Sequence, residues 1–195
     1  MEQEELITEY PLFLPSDKLA DKGRVNWTKK EAKEFFDWYI SEIPKRVAFL
    51  LEYIDLRKVD LRNVNSNILD ELHTKVLRKL KESKALTELN ENSIIMPRNE
   101  GYAFLVDVAS LFSLIILNEY PELEFTIATG KSNVYYNWPV VRLKNKPMSA
   151  TESFIMGDID SLYRRILNKK ENMTLKEFYN GPIKNRFRFL KQPDV

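Results

Sequence analysis

The chain of 195 residues has no cysteine, a single histidine and only five glycines, which stand apart from one another. The missing cysteine excludes disulfides, thiolate metal sites and cysteine nucleophiles, and it fits a reducing cytoplasm. One histidine, His73, excludes a metal centre built on two or more imidazoles. Any Ser-His-Asp arrangement would have to use His73, which lies in a charged helical stretch with no nucleophile signature nearby. The expectation for His73 is a solvent-facing helix position. Gly130-Lys131-Ser132 has the end of a phosphate-binding loop, but Phe125 occupies the place of its first glycine. A strand pattern follows rather than a helix N-terminus, so the stretch reads as a hairpin turn. Long apolar runs are scarce too. The longest, Tyr102 to Leu117, covers 16 residues and carries Asp107, Ser110 and Ser113. It falls short of the roughly 20 residues of a membrane span, so a buried core helix is expected and no membrane contact. The N-terminus, MEQEELITEYPLF, lacks the positive start and apolar stretch of a signal peptide.

What is present is ordinary for a globular protein: 44% hydrophobic and 30% charged residues, with a formal net charge of +1. The charge is unevenly spread. Residues 164–191 hold nine Lys/Arg against two Asp/Glu, whereas residues 1–163 sum to −5. The chain divides into an extended lead-in over 1–25, one domain over 26–182, and a basic tail over 183–195 that packs on it. Thr28-x-x-Glu31 is a capping box opening a helix with Ala32, Phe35, Tyr39, Ile43, Val47, Leu50 and Ile54 on one stripe. Pro44 predicts a kink or break within it. A second helix follows Ser66 or Asn67 and ends near Ser83. The apolar helix over about 102–118 comes next, stopped by Tyr120-Pro121. Leu123, Phe125 and Ile127 alternate with polar residues, which predicts a half-buried strand. Asn133 to Leu143 returns as its partner, on a sheet edge or bulged at Pro139. Asp158 is expected to cap a further helix, and Thr174-x-x-Glu177 to open a short one ending at Asn180-Gly181-Pro182. The fold class is therefore α+β in a single domain: N-terminal helices, a central buried helix, a small antiparallel sheet and C-terminal helices.

Four groups of residues could carry function. Asp107 stands alone in an apolar helix, where a carboxylate must be paired or must face a ligand. Tyr135, Tyr136 and Trp138 put large rings on both faces of the predicted second strand, and such rings anchor protein interfaces. Lys184, Arg186 and Arg188 alternate with Phe187 and Phe189, a pattern that single-stranded nucleic-acid binders use. Glu100, Asp107, Asp158 and Asp160 would serve a carboxylate enzyme if they converged in one cleft. Asp158-Ile159-Asp160 begins like a calcium loop, but Tyr163 and Lys169 replace its glycine and closing Glu. A magnesium site with Glu152 is the residual metal option; no metal and no cofactor are expected.

The stretch 101–143 resembles a group of small bacterial proteins that share an apolar helix with an early Asp, then N-x-x-P, a strand, a polar turn and a Tyr/Asn/Pro strand. The matching residues are Asp107, Asn118-Glu119-Tyr120-Pro121, Leu123 to Thr129 and Tyr136-Asn137-Trp138-Pro139-Val140. Ala109 and Phe112 stand where that group has glycines. Some of these proteins are held to be immunity proteins that neutralise toxins made by the same cell. The resemblance implies a non-enzymatic cytoplasmic protein whose partner is another protein, a toxin. Two other readings stay open: a carboxylate enzyme or small-ligand binder, and a nucleic-acid binder using the basic C-terminal region.

Overall fold

The computed structural model describes residues 10–12, 19, 21–130, 135–144 and 153–187. It is an α+β domain with one hydrophobic cluster running from Tyr10 to Phe187. The first helix, α1 (Lys29–Tyr53), opens on the capping box: Thr28 Oγ1 accepts from Glu31 N–H, and Thr28 N–H donates to Glu31 at 2.7 Å. It runs unbroken past Pro44, contrary to a break there. Pro44 is on the exposed face, where water can serve the Ile40 carbonyl that the ring leaves without a donor. A 3-10 turn (Ser66–Ile68) leads into α2 (Leu69–Glu82), which buries Leu69, Leu72, Val76 and Leu80.

The stretch before the apolar helix forms a hairpin, β1 (Thr87–Leu89) with β2 (Ile95–Pro97). Asn168 holds its far side, accepting from Ile95 N–H at 2.8 Å and donating to Ile95 O at 2.9 Å. The apolar run becomes α3 (Asn99–Glu119), the centre of the molecule, packed against both α1 and α4 (Ile155–Leu167). By length and composition α3 could cross a membrane, but most of it is buried within the protein. Gly101 lets its first turn sit against β1, because a Cβ there would lie 2.0 Å from the Leu86 carbonyl oxygen.

The main hairpin pairs β3 (Leu123–Ile127) antiparallel with β4 (Pro139–Leu143), Phe125 opposite Val141 and Ile127 opposite Pro139. The second strand is shorter than its aromatic composition predicts. Tyr135 to Asn137 form a turn, with Asn137 at φ 66°, a left-handed conformation that ends the extended run. Pro139 begins the strand on the side that faces away from β3, where the ladder needs no donor. Ser153 bridges to Val141 as an extra strand residue.

Near the C-terminus two further expectations change, and a third changes at His73. Asp158 lies in the first turn of α4 rather than capping it, and its side chain meets Ser153 and Arg186. α5 (Leu175–Phe178) opens on the Thr174–Glu177 capping box but does not stop at Gly181-Pro182. The chain continues through a π turn (Tyr179–Ile183) into a last helical turn (Lys184–Arg186), because Tyr179, Ile183 and Phe187 are all core residues. His73 is half-buried rather than solvent-facing. Its ring stacks on Tyr163 at 5.8 Å, and burial lowers its pKa.

A candidate protein-binding ledge

A 3-10 turn (Arg24–Asn26) precedes α1 and presents Val25, which is 65% exposed. This turn is fastened to the aromatic turn before β4. Asn137 is buried and donates from Nδ2 to Arg24 O at 2.8 Å and Trp27 O at 3.3 Å. Arg24 returns the contact, donating to Tyr136 O at 3.1 Å, with its guanidinium 5.4 Å from the centre of the Trp138 ring. Behind the two turns, Tyr135 stacks on Phe154 at 4.5 Å, and Trp138 packs against Phe154 and, edge-on, Phe35. Tyr135, Tyr136 and Trp138 are all half-buried. They do not stand out on a strand; they form the rim of the core with one side open. The outcome is a ledge of two bonded turns, one carrying half-open aromatic rings and the other the exposed Val25. Such an arrangement can serve recognition, since aromatic anchors and an apolar side chain offer contact area to another molecule. Sequence reasoning missed Arg24, Val25 and Asn137. The signal at Asn137 was its tolerance of positive φ just before Trp-Pro.

Asp107 lies elsewhere, sealed between α1 and α3 at 1% exposure. Arg46 donates from Nε to Oδ1 at 2.7 Å and from Nη2 to Oδ2 at 3.0 Å, while Tyr10 Oη donates to Oδ2 at 2.6 Å. Burial raises the Asp107 pKa, with Arg46 and the Tyr10 hydroxyl pulling the other way. The carboxylate therefore faces the chain's own lead-in, not an open cleft for a ligand. Tyr10 is itself fully buried, edge-on to Phe49, Tyr53 and Phe104 at 5.0–5.3 Å. Arg46 also bonds the Pro11 and Leu12 carbonyls, so one node pins the lead-in to two helices.

The four carboxylates of the enzyme reading do not converge. Asp107 is enclosed as described, Asp158 pairs with Arg186, and Asp160 pairs with Arg164 at 2.9 Å. Glu100 lines a groove beside the β1–β2 hairpin with Lys84, Glu88 and Arg98. Among the described residues no group of three or more His, Asp or Glu could hold a metal ion, and Glu152 lies outside them. In the basic region, Lys169 and Lys170 are exposed, and the other described cations have partners. Arg164, Arg165, Lys176 and Arg186 each bond a carboxylate, and the Lys184 ammonium sits over the Tyr179 ring at 4.9 Å. Arg188, Lys131 and Ser132 lie outside the described residues. No protein-family model, characterised protein or solved structure matches the chain.

Proposed function

We propose that this chain is a cytoplasmic bacterial protein that acts by binding another protein, a toxin it neutralises, and catalyses no reaction. The observation that carries the reading is the Val25 ledge. A large apolar side chain is held in solvent on a turn that is bonded to a cluster of half-open aromatic rings. Exposed apolar residues that stand singly need no explanation, but one on a turn bonded to the turn that carries Tyr135, Tyr136 and Trp138 adds to the composition of an interface centre. The toxin as partner rests on the resemblance of residues 101–143; the ledge supports only that a protein surface docks there. Asp107, Asp158 and Asp160 are each engaged by a different arginine, which favours recognition over chemistry.

The test is capture of partners from lysate of the source organism, comparing wild type with Val25→Asp and Tyr136→Ala. Val25 is exposed, so the charge leaves the fold intact, and circular dichroism confirms this for both variants. A single protein should co-purify with wild type, and its affinity should fall on the order of tenfold or more in each folded variant. If both variants keep the partner, the ledge is not the interface. If wild type retains no protein at all, the reading fails.

A further inference from the structure

The β3–β4 sheet has an open side. At its two ends Ala128 N–H donates to Trp138 O and Lys144 N–H donates to Glu122 O, both at 2.9 Å. Antiparallel strands alternate bonded and non-bonded pairs, so Glu124 and Thr126 exchange bonds with Arg142 and Val140. The backbone groups of Phe125 and Ile127 therefore point the other way, off the sheet. β4 shows the same alternation: Val141, opposite Phe125, turns from β3 to Ser153, donating at 3.0 Å and accepting at 2.8 Å. On β3 the equivalent groups of Phe125 and Ile127 bond to nothing among the described residues. Both residues are half-buried, and an unpaired strand edge is a ready template for another strand.

We propose that this edge pairs with the β3 edge of a second copy of the chain, antiparallel about a two-fold axis at Thr126. In that register Phe125 lies opposite Ile127 of the second copy, and Ile127 opposite its Phe125. Each pair exchanges two hydrogen bonds, so the unmet donors and acceptors satisfy one another. The edge is self-complementary, which makes a second copy the occupant: its outward-bonding residues, Phe125 and Ile127, are both apolar and meet each other across the axis. Glu124 is held by Arg142 of its own chain at 3.1 Å and falls opposite Ala128, so no like charges meet across the axis. Thr126 meets Thr126, a favourable cross-strand pair. The product is a four-stranded sheet in which neither β3 edge is left open.

The absence of cysteine makes the test clean. Thr126 would face its own copy as a non-bonded pair with Cα atoms about 4.5 Å apart, within disulfide reach. Oxidised Thr126→Cys should therefore run at twice the 23.1 kDa chain mass on a non-reducing gel. Wild type should sediment as a dimer, and Thr126→Lys, which sets two ammonium groups face to face, should sediment as a folded monomer by circular dichroism. Wild type that stays monomeric up to its solubility limit overturns the proposal. So does a wild-type dimer whose Thr126→Cys form does not cross-link, because that dimer uses another surface.

Discussion

Two arginine–carboxylate clamps hold the ends of this chain, and they differ mainly in their access to water. Arg46–Asp107 fixes the lead-in between α1 and α3, with side chains 12% and 1% exposed. Arg186–Asp158 fixes the last helical turn to the start of α4, with side chains 42% and 20% exposed. Both are two-pronged, the second with Nη2 to Oδ1 at 3.1 Å, and both recruit a hydroxyl: Tyr10 in the first, Ser153 in the second. Matching chemistry does not mean matching energy. In the interior each partner depends on the other, because a lone buried charge has no water to turn to. At the surface, water replaces a lost partner at little cost. The inner clamp is thus the one on which folding depends, and the outer one chiefly positions a turn.

Removing each carboxylate exposes that contrast most sharply. Asp107→Ala leaves the Arg46 guanidinium and the Tyr10 hydroxyl without their acceptor and should cost about 3–5 kcal/mol of unfolding free energy. Asp158→Ala should cost about 1 kcal/mol or less. Urea titration of both variants against wild type measures the gap; equal losses would mean that burial does not separate the clamps. Tyr10→Phe probes the inner clamp more finely. It keeps the ring among Phe49, Tyr53 and Phe104 and removes only the bond to Oδ2, so about 1.5–3 kcal/mol should be lost. A loss as large as that of Asp107→Ala would place the energy in the tyrosine rather than in the ion pair.

The sequence makes one half of each clamp readable. An aspartate in the Tyr102–Leu117 run demands a partner, but nothing local names Arg46, 61 positions earlier, or Tyr10, 97 positions earlier. Local signals fared well where the determinants were local. Thr28–Glu31 and Thr174–Glu177 both form capping boxes, and the alternation at Leu123, Phe125 and Ile127 marks β3 over the residues observed. They failed where tertiary packing overrode them. Gly181-Pro182 reads as a stop, yet Ile183 and Phe187 keep the chain helical because each fills the core. The aromatic run before Pro139 reads as strand, yet Asn137 turns it to meet Arg24 and Trp27. The ledge was half-visible for the same reason: its rings are close in sequence, but the Arg24–Asn26 turn is joined to them only through the fold.

A third carboxylate–cation contact, Lys22–Glu31, falls between the two clamps, with side chains 40% and 11% exposed. Here the Lys22 ammonium, with the Thr28 backbone and hydroxyl, lowers the Glu31 pKa from an ordinary 4.5 to about 2. The unfolded chain thus binds more protons at this group between those values, and stability there rises with pH. The contribution is complete above 4.5 and disappears as pH falls toward 2. Glu31→Gln removes the titrating group while keeping an oxygen for the cap, so its stability should fall less steeply over that window than that of wild type. Asp60, Glu119 and Glu171 also have lowered pKa values and contribute to the acid limb in both proteins, so the difference between the two slopes isolates Glu31. Melts of both proteins across the window provide the measurement. Superimposable acid limbs would show that α1 draws its start from the packing of Ala32 and Phe35 rather than from the charge at its cap.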